Sequence, residues 1–106
     1  MKKVNDIEKQ EIAEFIHDYI LENFEEQGQI ETLQMEEAFQ FRKHPYVINV
    51  DGQMECKDTD FGQDEIPSYK VTCWLKSVEI HSTQLQETEV LDADEIAELI
   101  NAIGGI

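Results

Sequence analysis

The chain has 106 residues, 41% of them hydrophobic, with 24 acidic against 8 basic side chains and a formal net charge of -16. Such a length makes one domain with enough apolar content for a core, which argues against global disorder. A charge spread over both halves repels nucleic acid and anionic lipid, because phosphate binding depends on lysine and arginine.

No run of about 18 apolar residues is present to span a bilayer. The MKK start leads into VNDIEKQE rather than an apolar signal core, so no signal peptide is expected. Cys56 and Cys73 form neither a CxxC pair nor a disulfide framework, and the expectation is reduced thiols in a cytoplasmic protein.

Asn5 followed by Glu8 has the form of a capping box, and Ile12, Phe15, Ile16, Tyr19, Ile20 and Phe24 recur at helical spacing. A first helix is predicted over 6–26, with Gly28 as its stop. In residues 30–41, Leu33, Met35, Phe39 and Phe41 fit strand alternation, while Ile30, Leu33, Ala38 and Phe41 fit a helix. The aromatic pair decides for a strand, and RKHPY then supplies a turn. The run YVINVDGQMEC carries Asp-Gly between β-type flanks, which reads as a hairpin. A three-residue loop of Val50, Asp51 and Gly52 keeps one face apolar by setting Ile48 against Met54 and Tyr46 against Cys56.

Residues 56–69, CKDTDFGQDEIPSY, resemble a calcium loop at first sight. Counting from Asp58, Asp60 and Asp64 fall on ligand positions 3 and 7. However, Gly62 falls one place early for the turn, and Tyr69 stands where the bidentate glutamate belongs. A solvated connection between strands is the better reading. Asp58, Asp60, Asp64 and Glu65 are left as candidates for weak cation binding, and no structural metal or cofactor is expected.

In YKVTCWLKSVEI the apolar parity changes between Leu75 and Val78, and a bulge near Lys76 and Ser77 would restore a single buried face. HSTQLQETE reads as a loop with a short edge strand near Val90. The segment LDADEIAELINAIGG is a helix with Asp92 as N-cap, Glu95 three residues on, a staple from Leu91 to Ile96, and Gly104 at its end. The order α-β-β-β-β-α predicts a single α+β domain over residues 1–106: an antiparallel sheet of about four strands with both helices on one face.

No arrangement of side chains names a reaction. His17, His44 and His81 are scattered without metal-ligand spacing from either cysteine, and no serine or cysteine sits in a nucleophile motif. Paired carboxylates carry little information among 24 acids. The terminal IGGI follows a helix directly, so it reads as a helix cap rather than a modifier tail. Arg42, Lys43 and His44, the one basic cluster, read as a strand-end turn. A non-enzymatic protein is therefore expected.

The most specific feature is acidic. At about 100° per residue, Glu8, Glu11, Glu14, Asp18, Glu22, Glu25 and Glu26 project within an arc of about 120° on the first helix. No lysine laces them at i+4. Glu11, Glu14, Asp18, Glu22 and Glu25 are the candidate contacts for a basic protein partner, with neither nucleic acid nor membrane bound directly. The size, acidity and layout are similar to those of small accessory proteins of phages and mobile elements, some of which mimic DNA charge. That analogy implies a DNA mimic or an inhibitor of a nucleic-acid-handling system, as a monomer or small homo-oligomer. The alternative is a structural or assembly role through an exposed sheet face or edge.

Overall fold

The computed structural model describes residues 3–58 and 69–103, without the side chain of Asp58. The chain forms α1 (Asp6–Asn23), β1 (Glu31–Phe41), β2 (His44–Asp58), β3 (Tyr69–Ser82), β4 (Glu87–Leu91) and α2 (Ala93–Ala102). The four strands make one antiparallel sheet in the order β1-β2-β3-β4.

The capping box starts α1. Asn5 Oδ1 accepts from the Glu8 amide at 2.8 Å, and the Glu8 carboxylate accepts from the Asn5 amide at 3.0 Å. The helix stops at Asn23, three residues short of the predicted end at 26, because Phe24 is already extended. There Asn23 Nδ2 donates to the Tyr19 carbonyl at 2.8 Å, a side-chain bond back across the last turn. Gly28, with φ of 81°, lies in the turn beyond.

The ambiguous segment is a strand. Its buried positions Leu33, Met35 and Phe41 alternate toward the helices, and the Phe39 ring stacks on Phe15 of α1 with centroids 5.0 Å apart. Arg42 and Lys43 make the two-residue turn, both left-handed with φ of 54° and 65°.

The Asp-Gly hairpin does not form. Residues 44–58 run as one strand, with Ile48 between Glu37 and Ile80, and Tyr46 between Phe39 and Ser82. Glycine is present at 52 for another reason. A Cβ there would lie 2.3 Å from the Trp74 carbonyl oxygen and 2.9 Å from the Leu75 Cα, so it permits close approach of two backbones. That approach sits beside the bulge expected from the parity change: Asp51 pairs with Ser77 and Gly52 with Leu75, leaving Lys76 over. The burial pattern switches accordingly from Val71, Cys73 and Leu75 to Val78 and Ile80. The element order is as predicted, but the strands divide differently, with one long β2 and the short strand around Val90 as β4.

Asp92 caps α2 by accepting from the amides of Asp94 at 3.0 Å and Glu95 at 3.2 Å. Gly104 lies outside the described residues. Ile12, Ile16 and Ile20 of α1 and Ile96 and Ile100 of α2 pack with the inner sheet residues into one core. Each such side chain stabilises the fold by about 1.5 to 3 kcal/mol when fully buried.

Candidate protein-interaction surface

The predicted acid stripe divides into three parts. Glu11, Glu14, Asp18 and Glu22 lie exposed along α1. Among the described residues none of the four forms an ion pair with lysine or arginine. Glu14 accepts from Gln10 at 3.1 Å, and Asp18 lies 3.8 Å from His17 Nδ1.

Glu8 is used internally. Its carboxylate takes Arg42 Nε at 2.7 Å and an Arg42 terminal amine at 2.8 Å, with the two side chains only 17% and 16% exposed. This bidentate pair ties the start of α1 to the β1–β2 turn. The carboxylate of Glu8, with help from the Tyr46 hydroxyl, drives the Arg42 pKa further above its ordinary value, against burial. Arg42 also lies over the Phe41 ring, 5.0 Å from its centroid. The basic cluster is thus a turn whose arginine has an internal task.

Glu25 and Glu26 follow the end of the helix, and Glu25 therefore does not extend the stripe. The Glu31 carboxylate accepts from their amides, at 3.0 and 3.2 Å from Glu25 and 3.2 Å from Glu26, and so fixes the connection from α1 into β1.

Along β1, α1 leaves a groove lined by Phe15, Asp18, Tyr19, Glu22, Glu37 and Ala38. Glu37 has the parity of Met35 and Phe39, so it faces the helix side and adds a third carboxylate to Asp18 and Glu22. Sequence reasoning missed it, because the stripe was read on the helix alone. Alternation already placed Glu37 on the inner face, and a charged residue there was the available signal.

The rest of the chemistry is dispersed. Both cysteines are free and buried, and burial pushes each thiol up to about 11. Glu31 and Glu55 add to the effect at Cys56, while Lys70 opposes it at Cys73. His17 is buried in α1 with Nε2 unpartnered among the described residues, His44 is exposed at the start of β2, and His81 Nδ1 contacts Thr88 Oγ1 at 2.8 Å. Among the described residues no three His, Cys, Asp or Glu side chains converge on a point that could hold a metal ion. The cation candidates Asp60, Asp64, Glu65 and the Asp58 side chain lie outside the described residues. Among the described residues no helix is long and apolar enough to cross a membrane.

The outer sheet face is polar, with Gln34, Glu36, Asn49, Asp51, Ser77 and Glu79 around a shallow depression. Ile7, Ile30, Trp74, Leu85 and Val90 are the large apolar residues left exposed among the described residues. Comparison with family models, curated proteins and solved structures returns no match for this chain.

Proposed function

We propose that this protein works by binding a basic protein partner, without catalysis, and that the exposed face of α1 is the contact. One observation carries the reading: Glu11, Glu14, Asp18 and Glu22 share one exposed helical face without a cationic partner among the described residues. Glu22 lies in the last turn of the helix, which has no basic residue, so it opposes the macrodipole. Such a placement costs about 0.3 to 1 kcal/mol, and solubility alone does not require a carboxylate there. A net charge of -16 on a body this small adds a long-range field that draws in cationic surfaces and repels nucleic acid itself.

A nucleic-acid-binding protein is the favoured partner class, with the stripe occupying a phosphate-binding surface. The four acids span about 16 Å of helix at 1.5 Å per residue, and their spacing of three or four residues matches DNA phosphates only loosely. Recognition then rests on charge density. Two buried, free thiols suit a reducing compartment such as the cytoplasm.

The test is retention of partners from lysate at low and high salt, followed by competition of duplex DNA for each retained protein. A form with Glu11, Glu14, Asp18 and Glu22 all changed to lysine is run in parallel. Salt-sensitive retention of a DNA-displaceable basic protein, lost on charge reversal, is the expected result. Equal retention by the reversed form would reduce the stripe to a solvated face.

A further inference from the structure

We propose that the open edge of β1 is the seat of the partner, which adds an extended basic segment to the sheet as a fifth strand beside α1. This rests on the reading of a basic partner and specifies the shape of what is bound.

The main chain makes the first part of the case. Phe41 and His44 flank a two-residue turn, so they exchange both ladder hydrogen bonds, and alternation makes Phe39/Tyr46, Glu37/Ile48 and Met35/Val50 the next such pairs. The amides and carbonyls of Thr32, Gln34, Glu36, Ala38 and Gln40 therefore turn away from β2. These five residues are exposed, and β1 is the terminal strand of the sheet. They present a row of donors and acceptors at the spacing of an extended chain.

Among the described residues the guards of this edge are acidic alone, Glu36 on the outer face and Glu37 on the helix side, which repel an acidic chain and leave a basic one free to pair. Lysine, proline, bulges, short length or a covering element keep edge strands from pairing. β1 has 11 residues, no lysine, no proline and no register shift against β2. By contrast, β4 has five residues, and the stretch of β3 that β4 does not reach is covered by α2. There Asn101 Oδ1 takes the Cys73 amide at 2.8 Å, and Asn101 Nδ2 donates to the Cys73 carbonyl at 3.3 Å.

The groove identifies the occupant. On the helix side of the edge stand Asp18, Glu22 and Glu37 with the Phe15 and Tyr19 rings, a lining that takes a cationic head and an aliphatic stem together. A strand there turns every second side chain toward α1, so the segment carries lysine or arginine at alternate positions. A second copy of this chain fits poorly. Antiparallel pairing of β1 with itself about its midpoint would set Glu36 opposite Glu36, between two bodies each carrying -16.

The experiment uses the intact protein and two synthetic peptides of equal charge, both alternating lysine with threonine, one with free backbone amides and one with every backbone amide N-methylated. Only the first can donate ladder hydrogen bonds. It should bind about tenfold more tightly, the effect of one or two net hydrogen bonds, and should slow amide exchange at Gln34, Glu36, Ala38 and Gln40. Ala38→Pro removes one outward amide at an edge, where proline is tolerated, and should lower binding of the free-amide peptide toward that of the N-methylated one. Changing Asp18, Glu22 and Glu37 together to lysine should abolish binding of both.

Equal binding of both peptides with no protection along β1 would overturn strand addition while leaving the charge reading intact. Indifference of both peptides to charge reversal would instead remove the basic-partner reading. If the free protein is a dimer by light scattering with β1 amides already protected, a second copy holds the edge and the inference fails. Should Ala38→Pro not fold, amide protection in the unaltered protein decides alone.

Discussion

The two long edges of this sheet receive opposite treatment. On the β3 side, where β4 falls short, the side-chain amide of Asn101 bonds to both main-chain polar groups of Cys73 and stands in for a neighbouring strand. On the β1 side no strand follows among the described residues, and α1 presents carboxylates to a groove beside it. Exposed strand edges invite pairing, and under the proposal above the carboxylates beside β1 decide what may pair there.

The most severe way to break this arrangement is at the join between β2 and β3, which both edges depend on. Gly52→Ala should destabilise the fold by about 3 kcal/mol or more, since the new methyl meets backbone that cannot rotate aside. A urea titration followed by circular dichroism reads this directly, and a midpoint within error of the parent would show that the strands can separate at the bulge.

Next in size is the tie between α1 and the β1 turn. Arg42→Ala leaves a largely buried Glu8 carboxylate without its main partner and should cost about 2 to 4 kcal/mol. Arg42→Lys should recover only part of that, because an ammonium cannot reproduce the bidentate contact. Thermal melts of the two variants rank them. An alanine form as stable as the parent would mean that the groove does not depend on this pair.

Opening the plugged edge is a smaller change. Asn101→Ala strands one amide and one carbonyl of Cys73 beside α2, at about 1 to 3 kcal/mol. Hydrogen exchange at the Cys73 amide should accelerate, with the outward amides of β1 unaffected. Acceleration at both edges would mean that they are not independent.

The smallest effect is invisible at neutral pH. Both thiols are held up to about 11 in the folded chain against an ordinary value of 9.0. Between these values the unfolded chain releases protons that the native one keeps. The stability tied to the neutral thiols is therefore complete below 9.0 and is lost as pH rises toward about 11. Denaturant midpoints measured across that window should fall, and should fall less for Cys73→Ala. A flat profile would contradict the burial of these groups.

What could be read from the sequence follows the range of each interaction. The caps at Asn5 and Asp92 and the bulge at Lys76 are written in residues within one or two turns, or in a parity change, and all three were foreseen. Asp51-Gly52 was misread because glycine has two uses, positive φ and absence of a Cβ, and the sequence does not say which applies. The turn in RKHPY was legible, but its left-handed two-residue form at Arg42 and Lys43 was not, since neither residue favours that backbone. The Glu8–Arg42 pair and the Asn101 plug join residues 34 and 28 positions apart, beyond any local pattern. For the candidate surface, helical periodicity supplied Glu11, Glu14, Asp18 and Glu22. It overran at Glu25 because Asn23 and Phe24 end the helix. Glu37 and the open edge depend on strand order, which periodicity does not encode.

That glycine-free turn also bears on the order in which the chain assembles. Left-handed backbone costs about 1 to 2 kcal/mol at each non-glycine residue, and Arg42 and Lys43 both adopt it. The β1–β2 hairpin is consequently expected to be a poor nucleus by itself, with closure following the docking of α1 and its Glu8 carboxylate. Stopped-flow refolding of Lys43→Gly, which relaxes the turn and leaves the ion pair in place, should be faster than that of the parent. On that order β1 zips up after its acidic helix is in place, and equal refolding rates for the two proteins would overturn it.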